Sequence, residues 1–213
     1  MQEIAVWRVA FFGMNRSLSA EIERHALQGR MLQESLRVHL PDAYVGGRNS
    51  VYYQQTKPPR FVAPDLYVVL GQAAEERPCY VVWEEGGRFP DFILEITSKD
   101  TEHQDRGRKL ILYRDTFRTS EYFLYAPGIA RLSGFRLQDN DYVSILPNER
   151  GDLFSQQLGV GLRCEAGWLH WVTELGDKVE SSSEQRVREA ERKLQEALAE
   201  LERLRNSPDQ FQA

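Results

Sequence analysis

The spacing of apolar residues predicts one helix followed by a series of short strands. Between about Ser19 and Leu40 apolar residues recur every three or four positions, the period of an amphipathic helix that Pro41 ends. Apolar runs at 61–70, 91–97 and 121–126 have the length of strands, and a helical pattern at 101–117 separates the last two. A strand, a helix and a strand in so short a span predict a crossover unit and therefore a mixed α/β sheet.

After residue 131 the pattern changes to hairpins, which predict an antiparallel β extension over about 131–173. Residues 176–183 are polar and predict a linker, and Ser182 with Gln185 is typical of a helix-capping box. We therefore divide the chain into a core domain over 1–175, a linker at 176–183 and a helix at 184–206.

The helix at 184–206 has the apolar spacing of a coiled coil. Its apolar residues are separated by three and four positions in turn, which defines the a and d positions of a heptad repeat: Val187, Ala190, Leu194, Ala197, Leu201 and Leu204. We expect this helix to join copies of the chain into a homo-oligomer. A helix that packs on its own domain is the alternative.

Composition and charge limit the possible functions of the 213 residues. With a net charge of −5, the chain is not expected to bind nucleic acid or anionic membranes strongly, unless a local basic patch does so. No stretch reaches the roughly 18 apolar residues of a membrane span, and the N-terminal residues lack the features of a signal peptide. Cys79 and Cys164 fit no metal-binding spacing, which predicts reduced thiols in a cytoplasmic protein.

Two predicted strands each carry one carboxylate among apolar residues. Asp65 is the only charge in FVAPDLYVVL, and Glu95 interrupts the apolar residues of DFILEIT. Carboxylates on covered, neighbouring strands are costly and repel each other unless positive charge compensates them. A divalent cation such as Mg²⁺ would compensate both. A turn cap for Asp65, and an ion pair between Glu95 and Arg106 or Arg108, are the alternatives.

The predicted helix at 101–117 supplies a lysine on its inward face. Asp105, Lys109 and Tyr113 are four residues apart, and Tyr113 should point to the core, which draws Lys109 toward the sheet. A lysine there can orient a water nucleophile and balance charge on a phosphorane-like transition state. An Asp105–Lys109 pair on the helix surface is the alternative. The scattered histidines are expected to be structural or exposed: His25, His39, His103 and His170.

These residues resemble the Uma-two family of restriction-endonuclease-like proteins, part of the PD-(D/E)XK nuclease superfamily. The matching motifs, in order, are AE-x-x-x-H (20–25), VAPDLYVV (62–69), WEEG (83–86), PDFILEITSKDT (90–101), D-x-x-x-K-x-x-x-Y (105–113) and EYFL (121–124). The likeness covers about residues 15–205. It implies a restriction-endonuclease-like mixed sheet flanked by helices, and a DNA endonuclease that hydrolyses phosphodiester bonds through a metal-activated water.

The resemblance also implies the members of the site. Asp65 and Glu95 would hold Mg²⁺ or Mn²⁺, with the backbone carbonyl of Ile96 as a further ligand. Glu21, on the first helix, would add another acid. These residues and Lys109 form the expected catalytic set.

One position departs from the superfamily pattern. The motif lysine should stand two residues after Glu95, where this sequence has Thr97. The resemblance assigns the role of that lysine to Lys109 on the next helix, with Lys99 as the competitor.

The expected partner is DNA, bound weakly and in a salt-sensitive manner. The basic residues that could follow its backbone are Lys57, Arg60, Arg106, Arg108, Lys109, Arg114 and Arg118. The alternative function is a catalytically weak or inactive nuclease-fold module that binds or assembles through its coiled-coil tail.

Overall fold

The computed structural model describes residues 22–97 and 105–206. Helix α1 spans 22–39, and a π-helical segment covers Asp105–Lys109 and Leu112–Phe117. Helix α2 spans Ser182–Asn206. The strands are β1 (Tyr44–Gly46), β2 (Ser50–Gln54), β3 (Arg60–Val62), β4 (Leu66–Val69), β5 (Cys79–Val81), β6 (Phe92–Ile96), β7 (Glu121–Ala126), β8 (Arg131–Gln138), β9 (Asp141–Ser144), β10 (Leu153–Ser155), β11 (Val160–Glu165) and β12 (Trp168–Val172).

The main sheet has six strands in the order β1-β4-β6-β7-β8-β9. Strands β6 and β7 are parallel and the other neighbours are antiparallel, so the predicted mixed α/β fold is confirmed. Parallel neighbours need a crossover connection, and the π-helical segment lies in it. Every residue of β4, β6 and β7 is buried, because apolar clusters cover both faces of the sheet.

Alternation along β6 assigns its side chains to these two faces. Phe92, Leu94 and Ile96 pack in the cluster that contains residues of α1 and of β10–β12. Ile93 packs in the other cluster, with Tyr113 of the π-helical segment. Glu95 shares the face of Ile93, so the carboxylate points toward the π-helical segment.

Two sequence-based boundaries differ from the structure. The run 61–70 is not one strand: β3 and β4 belong to different sheets, and Pro64 lies between them, since proline cannot donate to a strand ladder. The predicted extension over 131–173 is likewise divided. Strands β8 and β9 complete the main sheet, whereas β10–β12 form a separate antiparallel sheet.

Polar contacts fix α1 on the three-stranded sheet β10–β12. The side-chain amide of Gln28 is buried, donates to the Leu169 carbonyl at 3.0 Å and accepts from the Leu169 N–H at 2.8 Å. The indole N–H of Trp171 donates to the Leu32 carbonyl at 2.9 Å. These bonds satisfy buried polar groups on both elements and fix the position of α1.

A boundary between two compact units of the chain falls between Val179 and Glu180. In the second unit, Ser181 and Glu184 form the capping box: the Ser181 N–H donates to the Glu184 carboxylate at 2.7 Å, and the Glu184 N–H donates to the Ser181 hydroxyl at 3.3 Å. The predicted box at Ser182 and Gln185 was therefore wrong by one residue. No helix in the described ranges is long and apolar enough to cross a bilayer.

Candidate active site

Asp65 and Glu95 lie near each other where β4 and β6 meet. Leu66, the first residue of β4, pairs with Leu94 in the antiparallel register, and Asp65 immediately precedes it. The Asp65 carboxylate accepts the N–H of Ile96, the residue that follows Glu95, so Asp65 lies beside this end of β6. Gly47 permits this backbone path, because a Cβ on it would stand 2.9 Å from the Asp65 carbonyl oxygen.

The Asp65 carboxylate contacts both β6 and α1. Its Oδ2 accepts the Ile96 N–H at 2.8 Å, and its Oδ1 lies 2.9 Å from Nε2 of His25. The Nε2 atom is buried and makes no aligned hydrogen bond with the described residues. Asp65 therefore does more than cap a turn, and its carboxylate is held from two sides.

The Glu95 carboxylate is almost completely buried, with 1% of the residue exposed. Tyr113 donates its hydroxyl hydrogen to Oε1 at 2.6 Å, and Nζ of Lys109 lies 3.1 Å from Oε2. Lys109 and Tyr113 are four residues apart, so they approach Glu95 from the same face of the π-helical segment. This ion pair and hydrogen bond compensate a charge that would otherwise be costly to bury.

Of the other predicted members of the site, the structure describes Ile96 but not Glu21 or Lys99. Ile96 ends β6 beside Glu95, and its N–H already binds Asp65. Glu21 and the competing lysine, Lys99, lie outside the described residues. Across the described ranges, no three side chains of histidine, cysteine, aspartate or glutamate cluster as a metal site would require.

The oxygen donors at this point nevertheless suit a hard divalent cation. Two carboxylates and a nearby backbone carbonyl provide the ligand type that Mg²⁺ prefers, and Mg²⁺ retains several waters when few protein ligands are present. The observation that supports the fit is the hydrogen bond from the Ile96 N–H to Asp65, which holds one carboxylate beside the residue that follows Glu95.

Sequence reasoning missed the contacts of His25 and Tyr113. His25 was expected to be structural or exposed, yet it lies against Asp65. The AE-x-x-x-H motif could have indicated this contact, since it predicts one helix for His25 and the candidate acid Glu21. Tyr113 was expected to point into the core. Its ring packs there, but its hydroxyl also donates a hydrogen bond to Glu95.

A cavity of about 370 Å³ opens beside Asp65. It is lined by Ala26, Gly29, Arg30, Gln33, Gly47, Arg48 and Asp65. The cavity thus combines one acidic group of the candidate site with two arginines that belong to α1 and to the loop after β1.

Part of the predicted basic patch is neutralised within the protein. Arg114 donates to Asp115 at 2.6 Å and to Asp141 at 3.0 Å, and its guanidinium lowers the pKa of the Asp115 carboxyl. Arg118 donates to the Asp139 carbonyl at 2.9 Å. These two arginines are therefore less available to phosphates than the sequence suggested.

The mixed sheet, with two neighbouring carboxylates and a lysine beside Glu95, is the arrangement expected of a restriction-endonuclease-like nuclease. A model of the Uma2 family, described as a putative restriction endonuclease, matches residues 17–167. The chain therefore belongs to the Uma2 family, as the resemblance implied, and family membership supports nuclease activity in general.

One solved structure similar to this chain is a putative nuclease belonging to DUF820 from Anabaena variabilis ATCC 29413. The TM-score is 0.45 at 13% sequence identity, and the match covers 62% of this chain and 72% of that one. A search of curated proteins finds no match to the chain.

Proposed function

We propose that the chain is an endonuclease that depends on Mg²⁺ or Mn²⁺ and hydrolyses phosphodiester bonds of DNA. The observation that carries the proposal is the set formed by Asp65, Glu95 and Lys109. Asp65 accepts a hydrogen bond from the residue that follows Glu95, and the lysine amine lies 3.1 Å from Glu95.

Asp65, Glu95 and the Ile96 carbonyl would hold the cation, and Glu21 is the proposed additional acid. When bound, the cation would supply Lewis-acid polarisation of the phosphoryl group and a lower pKa for the attacking water. The contacts from Ile96 N–H, His25 and Tyr113 orient the two carboxylates, which reduces the reorganisation needed for binding.

Lys109 has the proposed catalytic role. Its ammonium is held at the site by Glu95 while 28% of the side chain stays exposed, so it can reach a substrate phosphate. There it orients the attacking water and balances the negative charge that develops on the phosphate in the transition state.

Plasmid cleavage tests the assignment of the lysine. The wild type should nick supercoiled plasmid with Mg²⁺ or Mn²⁺ and leave it intact with a chelator. Lys109→Ala should lose this activity, and Lys99→Ala, the matched control, should keep most of it. An active Lys109→Ala beside an inactive Lys99→Ala would transfer the role to the other lysine.

Helix α2 supports a second part of the proposal, self-association into a homo-oligomer. The apolar side chains of its a/d seam are more than half exposed at Val187, Leu194, Leu201 and Leu204. The same exposed seam favours the alternative function, an inactive nuclease-fold module that assembles through its tail. Self-association without metal-dependent cleavage, under conditions in which Asp65 and Glu95 bind the cation, would favour that alternative.

A further inference from the structure

Two arginines in the cavity beside Asp65 have no hydrogen-bond or ion-pair partner among the described residues. The Arg30 and Arg48 side chains are exposed, and neither guanidinium makes a hydrogen bond or ion pair within residues 22–97 and 105–206. By contrast Arg37, on the same helix as Arg30, pairs with Glu76 at 3.1 Å. Among the described residues, the cavity therefore presents two positive charges without an ion-pair partner next to a carboxylate of the candidate site.

Arg48 also has an unusual backbone conformation. Its φ of 57° lies in the left-handed region, where a non-glycine residue other than asparagine or aspartate is uncommon. Its N–H donates to the Pro64 carbonyl at 2.9 Å, which fixes it beside the residue that precedes Asp65. Strained residues of this kind concentrate at binding and catalytic sites.

We infer that Arg30 and Arg48 bind the phosphate backbone of DNA next to the bond that is cut. Guanidinium groups bind phosphate oxygens through paired hydrogen bonds, and an acidic chain needs a local cationic site to hold a polyanion. This inference rests on the proposed nuclease function, because it assigns the substrate contact of the same site. The inference assigns the phosphate contact, which the sequence led us to expect at Arg114 and Arg118, to the arginines of the cavity instead.

The test is the salt dependence of binding to a short DNA duplex, measured by fluorescence anisotropy with Mg²⁺ in a Lys109→Ala background. Arg30→Gln and Arg48→Asn should each weaken binding about tenfold near 0.1 M salt and reduce the slope of log K against log salt by about 0.9. Asparagine tolerates the left-handed conformation at position 48. The control Arg192→Gln, on α2, changes the net charge equally and should leave the slope unchanged.

Different results separate this inference from the proposed function. Unchanged slopes in both arginine variants, or no duplex binding by the parent, would overturn the phosphate site. A reduced slope in a protein whose wild type cuts no plasmid would support the site and reject the nuclease. Circular dichroism confirms that each variant is folded.

A second inference concerns α2 and rests on its charges. Beside the a/d seam, the g positions are Arg186, Lys193 and Glu200, and the e positions are Glu191, Leu198 and Arg205. Apart from Leu198 the seam is flanked by charges, so the apolar stripe is narrow, as in two-stranded coiled coils.

The flanking charges are complementary between two parallel copies. In a parallel pair a g residue faces the e residue five positions later on the other copy, so Arg186 faces Glu191. The same offset places Glu200 opposite Arg205. Arg186, Glu191 and Arg205 make no ion pair in the described part of the chain, whereas Arg192 on the outer face pairs with two glutamates.

We propose that α2 forms a parallel, in-register, two-stranded coiled coil with a second copy of the chain. Such a pair buries the exposed seam and gives partners to Arg186, Glu191 and Arg205, which the single helix leaves without an ion pair in the described part of the chain. An antiparallel pair opposes g to g and e to e, and loses both pairings. Because the core precedes α2 in the chain, the parallel arrangement joins both copies of the core to the same end of the coil.

Charge reversal tests the pairing by sedimentation equilibrium of the full chain. Arg186→Glu and Glu191→Arg should each raise the dimer dissociation constant about tenfold, because two attractions become repulsions. A mixture of the two variants should restore wild-type affinity, since the pairs become attractive again between unlike copies. Glu202→Arg, at a b position on the outer face, should have no effect. Failure of the mixture to recover would reject the pairing.

Cross-linking tests the orientation, in a background of Cys79→Ser and Cys164→Ser. Ala190→Cys should form a disulfide with its own copy, because identical d positions meet in a parallel pair. An antiparallel pair would instead cross-link Ala190→Cys to Leu201→Cys in a mixture, and that result would overturn the proposal. Monomeric wild type at high concentration would overturn it as well. Neither measurement depends on nuclease activity.

Discussion

The metal proposal makes its sharpest prediction for Glu95→Gln, which removes one charge from the site and keeps the size of the side chain. Glu95 is 1% exposed and pairs with Lys109 at 3.1 Å, so the substitution breaks a buried ion pair. Breaking such a pair costs about 3 kcal/mol. For a chain of this length that lowers the melting temperature by about 6–12 °C without metal.

The metal response then separates a ligand from a merely structural carboxylate. At a free Mg²⁺ concentration 100 times its dissociation constant, the wild type should gain about 2.7 kcal/mol, or about 5–10 °C in melting temperature. Glu95→Gln should lose most of this gain, because one of two carboxylate ligands is neutral. Calorimetric titration with Mg²⁺ or Mn²⁺ should show the same difference in heat of binding.

Glu121→Gln is the matched control. Glu121 is also fully buried, on the neighbouring strand β7, where Arg136 donates to it at 2.9 Å and the hydroxyl of Ser155 is a further partner. It pairs in register with Phe92 at the other end of β6, away from Glu95. Glu121→Gln should therefore lose similar stability yet keep the full metal response.

Two results would refute this reasoning. If Glu95→Gln keeps the full gain in melting temperature with Mg²⁺, the cation binds elsewhere. If Glu121→Gln loses the gain as completely as Glu95→Gln, the response reflects general stability and does not report a ligand.

Three further predictions concern other contacts. His25→Gln should weaken Mg²⁺ binding in calorimetry, because the substitution removes a group that holds Asp65, while the far-UV circular dichroism spectrum stays unchanged. An unchanged affinity for Mg²⁺ would show that the contact between His25 and Asp65 is incidental. Asp152→Asn should destabilise the fold by about 3 kcal/mol at neutral pH, since Asp152 is buried and accepts two hydrogen bonds from Arg163. The ion pair with Arg163 lowers the pKa of the Asp152 carboxyl, so the stability that the pair contributes is complete above the unfolded pKa of about 3.9 and is lost as the pH falls through the lower folded pKa. Urea denaturation should therefore show the free energies of unfolding of the wild type and Asp152→Asn converging in acid. A difference in unfolding free energy that stays constant with pH would contradict this. Leu194→Glu with Leu201→Glu should shift the sedimentation profile to monomer and leave the metal response intact, and an unchanged profile would reject self-association through α2.

Much of the core fold follows from local patterns in the sequence. Runs that are mostly apolar predict covered strands, and the pattern between 91 and 126 predicts the crossover, because parallel strands need one. The same patterns single out Asp65 and Glu95, since an unpaired charge on a covered strand is costly. These conclusions need only the period of the side chains and the cost of burial.

Tertiary structure decided what lies against each carboxylate and how the later strands are divided. His25 reaches Asp65 only because α1 packs over the end of β4, and no spacing along the chain reports that distance. Strand β8 joins the main sheet because it pairs with β7, and β9 follows by pairing with β8. A hairpin pattern alone does not reveal which edge of a sheet it extends. The cavity that brings Arg30 of α1, Arg48 and Asp65 together likewise forms only when three separate segments meet. Sequence determines which residues must be buried or paired, whereas long-range packing selects the partners, because contacts between distant segments depend on the whole fold.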